Sequence, residues 1–227
     1  MPFPDLAERV SEVREHIDAA VVRGGRGQSV RLVAVTKGHG PEAVETAAAA
    51  GLEDVGENRV QEALQKMAGV SAGVRWHLIG HVQRNKVKWL HQFHLVHSLD
   101  NPRLADAVHE FGASRGRPVD VLVQVNVVGE ATKGGYPPSE IGREGDRLLG
   151  LSGLRVIGVM SMAPFDADER TLRTVFSGAR DARARLAATG HPATELSMGM
   201  SNDFEVAVEE GATLVRLGTI LFGARAA

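Results

Sequence analysis

Eight short apolar runs, separated by stretches of helical period, set the tightest limit on what this chain can fold into. They lie at 31–36, 52–55, 74–79, 94–98, 119–127, 154–160, 194–197 and 213–217. Runs this short, bounded by turn residues, read as buried strands. Helical stretches begin between them near Pro41, Arg59, Asn85, Asn101, Pro138, Asp168 and Asp203. The clearest starts at Glu169 and places Leu172, Val175, Phe176, Ala179 and Leu186 on one stripe. Strand–helix alternation demands parallel strands joined by crossover helices. Eight strands without a long low-complexity linker predict one α/β domain over residues 1–227, a closed (β/α)8 TIM barrel. A doubly wound open sheet is the other arrangement this pattern allows. An extra helix precedes the first strand, because Leu6, Val10, Val13, Ile17 and Val21 recur at steps of three and four from Asp5 to about Val22. The GGRG at 24–27 ends it. That cluster follows a helix and precedes a strand, the reverse of a phosphate loop, so it reads as a linker turn.

Composition removes several function classes. The 227 residues carry a formal net charge of -2, so no global field draws nucleic acid or acidic membranes. The absence of cysteine excludes disulfides, thiolate metal sites and cysteine nucleophiles. The first residues, MPFPDLAERVSEVREH, include acids and no apolar core of a signal peptide. No apolar run approaches the roughly 20 residues of a membrane helix. A soluble, cytoplasmic protein is expected. His91, His94 and His97 straddle a helix–strand boundary, and Asp166, Asp168 and Glu169 read as a helix start, so no metal site is expected. Arg84, Asn85, Lys86, Lys88 and Trp89 form a short basic stretch that reads as a solvated helix face, with no nucleic-acid partner.

Chemistry gathers where the strands end. Leu32 to Gly38, LVAVTKG, runs apolar into Lys37 at the carboxyl end of the first strand, either a solvated lysine that simply starts a surface loop or a group at the end where α/β barrels place their chemistry. The chain has only five lysines (37, 66, 86, 88 and 133). Arginine can replace lysine as a surface charge but cannot supply a neutral, nucleophilic amine. After the seventh strand, ELSMGMSND brings Ser201 and Asn202 to the start of a helix near Asp203, either as simple caps or as part of an anion site. After the eighth, VRLGTILFG supplies Arg216, Gly218 and Thr219 at the start of a short helix. Barrels that bind phosphate tend to use these two loops and such a helix. Arg216 has a plainer alternative, a buried ion pair with Glu57 or Asp54. A reactive lysine facing a phosphate cradle suits a phosphorylated aldehyde, and pyridoxal 5′-phosphate is the obvious one.

The motifs VAVTKG, GENRVQE, WHLIGHVQRNK, HSLD, QVNVVGEATKGG, GVMSMAP, SMGMSND and VRLGTILFG occur in collinear order over almost the whole chain. In this the sequence resembles the pyridoxal phosphate homeostasis proteins. The resemblance implies a barrel like the N-terminal domain of bacterial alanine racemase, with pyridoxal phosphate as cofactor on a lysine Schiff base. It implies that Lys37 is that lysine and that Asn58 lies near the cofactor ring. Ser201, Gly218 and Thr219 would hold the phosphate, and Arg216 would meet the pyridine nitrogen. Two positions depart from the family pattern: Arg59 stands where tyrosine is common, and His81 where a smaller or apolar residue is usual.

The expected role is vitamin B6 and amino-acid balance by a monomeric carrier, with apo forms of pyridoxal phosphate enzymes as partners. A two-base racemase, the alternative, needs an acid/base opposite the lysine. In alanine racemases that is a tyrosine delivered with a second domain. Here the only tyrosine, Tyr136, lies in a Gly/Pro loop, leaving His77 or His81 as substitutes. Lys133, after the fifth strand, is a candidate second amine for departing cofactor, or simply a surface lysine near Glu130.

Overall fold

The computed structural model describes residues 2–130 and 133–223. Eight parallel strands close into a barrel in sequence order: β1 Arg31–Val35, β2 Asp54–Glu57, β3 Arg75–Leu78, β4 Leu95–Leu99, β5 Val119–Gln124, β6 Leu154–Met160, β7 Glu195–Ser197 and β8 Leu214–Leu217. β1 pairs with both β2 and β8, with Val33 opposite Asp54 on one side and Arg216 on the other. That double pairing excludes the open sheet. The helices are α1 Leu6–Gly24, α2 Pro41–Ala49, α3 Val60–Met67, α4 Pro102–Ser114, α5 Ile141–Leu149, α6 Glu169–Ala188, α7 Phe204–Glu209 and α8 Thr219–Phe222. Among the described residues no helix is long and apolar enough to cross a membrane.

The crossover between β3 and β4 departs from expectation. Arg84–Gln92 forms a 3-10 helix, not an α-helix. Its buried apolar residues explain why: Val87 and Leu90 fall three apart, and Phe93 follows at the same step. A period of three suits a 3-10 helix, in which residues i and i+3 eclipse.

Alternation along each strand divides the core. Val33, Leu95, Leu122, Met160 and Leu214 point inward and pack on one another. Their neighbours, such as Leu32, Ala34, Val55 and Val215, pack outward under the helices. α1 buries Leu6, Val10, Val13, Ile17 and Ala20, the larger of these side chains contributing about 1.5–3 kcal/mol each. It runs two residues beyond the expected end because Gly25 adopts a left-handed φ of 63° and donates its N–H to Val21 O. α1 also reaches the far end of the chain. Arg9 donates to Leu221 O, and Arg23 pairs with Glu205 and Glu209 of α7. Arg173 and Arg180 of α6 join the same acidic edge. A shallow surface depression of about 750 Å³ lies there, lined largely by side chains already paired with one another.

Candidate functional site

A pocket of about 690 Å³ opens at the carboxyl end of the strands, and Lys37, Asn58, Ser201, Arg216, Gly218 and Thr219 all line it. Six residues spread over 183 positions of sequence thus share one cavity. The volume lies in the range of small-molecule and cofactor sites.

Lys37 owes its place to the parity of β1. Val33 and Val35 face the interior, and two residues on Lys37 lies in the pocket wall. Thr36, facing the other way, is buried and anchors the turn. Its hydroxyl donates to Glu57 Oε1 at 2.6 Å, and its carbonyl accepts from Lys66 Nζ at 2.7 Å. Lys66 also pairs with Glu57 Oε1 at 2.6 Å and with Glu62 Oε1 at 3.1 Å, and Glu62 accepts the Gly38 N–H at 2.7 Å. Burial pushes the Glu57 carboxyl above its ordinary value, while Lys66 and Thr36 act in the opposite sense. The backbone on both sides of Lys37 is thereby tied to α3, Thr36 through Lys66 and Gly38 through Glu62.

Asn58 depends on a glycine. A Cβ on Gly80 would lie 2.3 Å from Asn58 O and 2.8 Å from Asn58 Cα, both rigid backbone atoms. Gly80→Ala should therefore displace Asn58 from the pocket wall, destabilising the protein by about 1–3 kcal/mol. Thermal melting and ligand titration of that variant check both effects; unchanged values would show that the wall can yield.

The opposite wall comes from the last two loops. Gly199 takes φ 93°, and a Cβ there would lie 2.7 Å from Ala207 Cβ, so the turn closes directly onto α7. Ser201 does not cap α7, as one reading of the sequence had it. The cap position is Asp203, whose Oδ1 accepts the Met200 N–H at 2.5 Å. Ser201 Oγ instead faces the start of α8, 3.4 Å from both the Gly218 and Ile220 N–H groups. Contacts this long are weak, so hydroxyl and amides together form a donor cluster suited to an anion.

Arg216 is buried but paired with neither Glu57 nor Asp54. It donates to Ser197 Oγ at 2.6 Å and to Ser161 O at 3.0 Å, whereas Asp54 is held by Arg75 and His77. Burial pushes the Arg216 guanidinium down to about 10, with Asp203 opposing, so it stays cationic at neutral pH. Burial raises the Asp203 carboxyl, against the Met200 N–H, Arg216 and Lys133.

Several lining residues were not singled out from the sequence as cofactor contacts. His39 forms an aromatic cluster with Phe3 and Phe222, 5.4 Å from each ring, and so joins the N-terminal segment to the pocket. Asp100 is buried in the wall, with Oδ1 on Asn101 and Oδ2 on His81 Nδ1 at 2.7 Å. Lys133 lines the pocket while pairing with Glu130 at 2.7 Å and donating to Ala163 O at 2.9 Å. For His39 and Asp100 the only signal in sequence was position beyond a strand, whereas Lys133 is the second amine that the sequence nominates. Arg59, the other departure, precedes α3 and is not part of the lining. Tyr136 also stays outside it: its hydroxyl donates to Glu144 Oε1 at 2.9 Å, and burial followed by the Glu144 charge pushes that phenol up.

Residues 9–226 match the family described as alanine racemase, N-terminal domain. The pyridoxal phosphate homeostasis protein of Aquifex aeolicus (strain VF5) is 42% identical over 225 residues, covering 97% of this chain and 99% of the relative. That of Escherichia coli (strain K12) is 35% identical over 97% of each. Among solved structures, PipY of Synechococcus elongatus PCC7942 with PLP bound is 35% identical, with a TM-score of 0.84, covering 96% of this chain and all of that one. Alanine racemase from Corynebacterium glutamicum, 15% identical with a TM-score of 0.77, shares the fold; 99% of this chain matches 62% of that one.

Proposed function

The chain belongs to the pyridoxal phosphate homeostasis proteins, built on the alanine racemase N-terminal domain, and from that premise we propose that its pocket holds pyridoxal 5′-phosphate for intracellular vitamin B6 and amino-acid balance. The observation that carries this reading is the convergence of Lys37, the Ser201–Gly218–Thr219 donor cluster and cationic Arg216 on one cavity. The donor set fits the group. When bound, the cofactor would supply an aldehyde as electrophile, and Lys37 would be the amine of the lining that holds it. Ser201 Oγ, Thr219 and the amides of Gly218 and Ile220 suit its phosphate. Arg216 can only donate, so it suits an unprotonated ring nitrogen. A ring without that proton is a weaker electron sink.

That electronic setting, with Tyr136 committed to Glu144, supports a carrier over a racemase. The first test is the near-visible spectrum of the protein on addition of pyridoxal phosphate, followed by borohydride reduction and peptide mapping. A band that traps onto Lys37 is the expected result; no band overturns the reading. Incubation with L- and D-alanine separates carrier from racemase, and optical rotation should not change. We further propose that the protein is a cytoplasmic monomer that passes cofactor to apo-enzymes, with sedimentation as the check on its mass.

Lys133 is the second amine of the lining. Lys133→Ala is expected to slow transfer of cofactor to an apo-enzyme severalfold while leaving equilibrium binding within about twofold. Unchanged transfer would leave Lys133 with only its Glu130 and Ala163 contacts.

A further inference from the structure

Five side chains cross the barrel interior beneath the pocket in one unbroken line. Arg216 Nη1 donates to Ser197 Oγ at 2.6 Å, and Ser197 Oγ lies 2.9 Å from His97 Nδ1. His97 Nε2 is 2.8 Å from His77 Nδ1, and His77 Nε2 is 2.8 Å from Asp54 Oδ1. The four residues other than Asp54 sit on β8, β7, β4 and β3, and Asp54 starts β2. All five are buried.

The direction of every bond in this line follows from its first member. A guanidinium has no acceptor, so the Ser197 oxygen accepts from Arg216 and has a single proton to give. That proton goes to His97 Nδ1. His97 then carries its proton on Nε2 and gives it to His77 Nδ1, and His77 gives its Nε2 proton to the Asp54 carboxylate. The reverse orientation moves both ring protons to Nδ1, sets His77 Nε2 against the Asp54 carboxylate as acceptor against acceptor, and leaves the buried Ser197 hydroxyl hydrogen with none of these atoms to accept it.

We propose that Ser197, His97 and His77 are positioning residues for Arg216: a one-way hydrogen-bond chain, from the guanidinium to Asp54, that holds Arg216 in place beneath the pocket. The proposal rests on the reading that the pocket takes pyridoxal phosphate with Arg216 at its ring nitrogen. The chain's far end is itself secured. Burial would raise Asp54, but hydrogen bonds from Arg75 and His77 outweigh it and hold that carboxyl well below the usual range. At the centre, burial first, and the charges of Arg216 and Arg31 with it, push His97 well below an ordinary imidazole, with Asp54 opposing. His94 is the other titratable ring against His77, 5.5 Å away. These surroundings favour the neutral His97 that a one-way chain requires.

Nitrogen-15 NMR of the ligand-free protein at pH 7 should find both rings neutral with the proton on Nε2; protons on Nδ1 would overturn the proposal. The second arm titrates pyridoxal 5′-phosphate into His97→Phe, with melting of the ligand-free variant as the folding control. Affinity should fall about tenfold, on the scale of losing the hydrogen bond by which His97 holds Ser197 under Arg216. The pH at which the bound cofactor's absorption changes should also move. Wild type that binds with His97→Phe matching it in affinity and pH profile overturns the proposal alone. Wild type that takes up no cofactor overturns the reading of the pocket, and the proposal with it. Should His97→Phe not fold, Ser197→Ala, which cuts the same chain with a smaller change in volume, is titrated in its place with the same expected and overturning results.

Discussion

Lys37→Ala is expected to bind pyridoxal phosphate at least about 100-fold more weakly and to yield no borohydride-stable adduct. The remaining donors, Arg216, Ser201, Gly218 and Thr219, stay in place because they lie on other loops and the turn itself is tied through Thr36 and Gly38. Residual, reversible binding of the phosphate end should therefore survive. Each tenfold in affinity is about 1.4 kcal/mol, so losing the covalent bond costs at least about 3 kcal/mol of binding. Absorption titration measures the loss, and mass spectrometry after reduction identifies any adduct. A wild-type spectrum in the variant, trapped on another lysine, would move the anchor to that residue, with Lys133 the other amine of the lining.

The largest expected effect on stability lies one layer deeper. Lys66→Met removes the cation from a buried pair and strands the Glu57 carboxylate, both of whose oxygens are out of solvent; Oε2 already lacks a hydrogen-bond partner. Losing one partner of a buried pair costs about 3–5 kcal/mol. For a protein this size that is roughly 6–20 °C in Tm. The pH dependence has a definite sign. Burial already raises Glu57 in the folded state, and Lys66 opposes that rise. Without Lys66 the folded value climbs further above the unfolded one, near 4.3. Between those two values the folded state binds the extra proton, so stability falls as pH rises through the window. The gap between wild type and variant should be widest at pH 8 and narrow towards pH 4–5. Denaturant melts at both ends check it; an equal gap at each pH would mean Glu57 is not the group responsible. Glu57→Gln added to Lys66→Met should restore part of the stability and flatten the pH dependence.

The barrel was legible because its pattern is local. Eight buried runs and the crossovers between them follow from short-range periodicity; their number suits a closed barrel, but only the pairing of β1 with β8 excludes the open sheet. The 3-10 segment was less so, because its cue, apolar residues at steps of three, differs by only a fraction of a residue from the α-helical period. Positions at or just past the end of a strand were enough to nominate Lys37, Arg216, Gly218 and Thr219. The same rule could not rank Asp100, His39 or Lys133, since it says which rim a residue joins and not how far its side chain reaches inward. The buried line from Asp54 to Arg216 was out of reach. Its members come from five strands, and no spacing in sequence registers that His77 Nδ1 and His97 Nε2 meet.

Closure of the barrel by β1 and β8 has a consequence for synthesis. Val33 and Arg216 are register partners, so the two walls that would grip the cofactor are translated 183 residues apart. At roughly 5–20 residues per second, about 10–40 seconds separate their emergence from the ribosome. During that interval the nascent chain carries Lys37 without the loops that would hold a phosphate beside it. A reactive aldehyde meeting it then would find no donors for its phosphate, and the proposed selective uptake would begin only when the last strand docks.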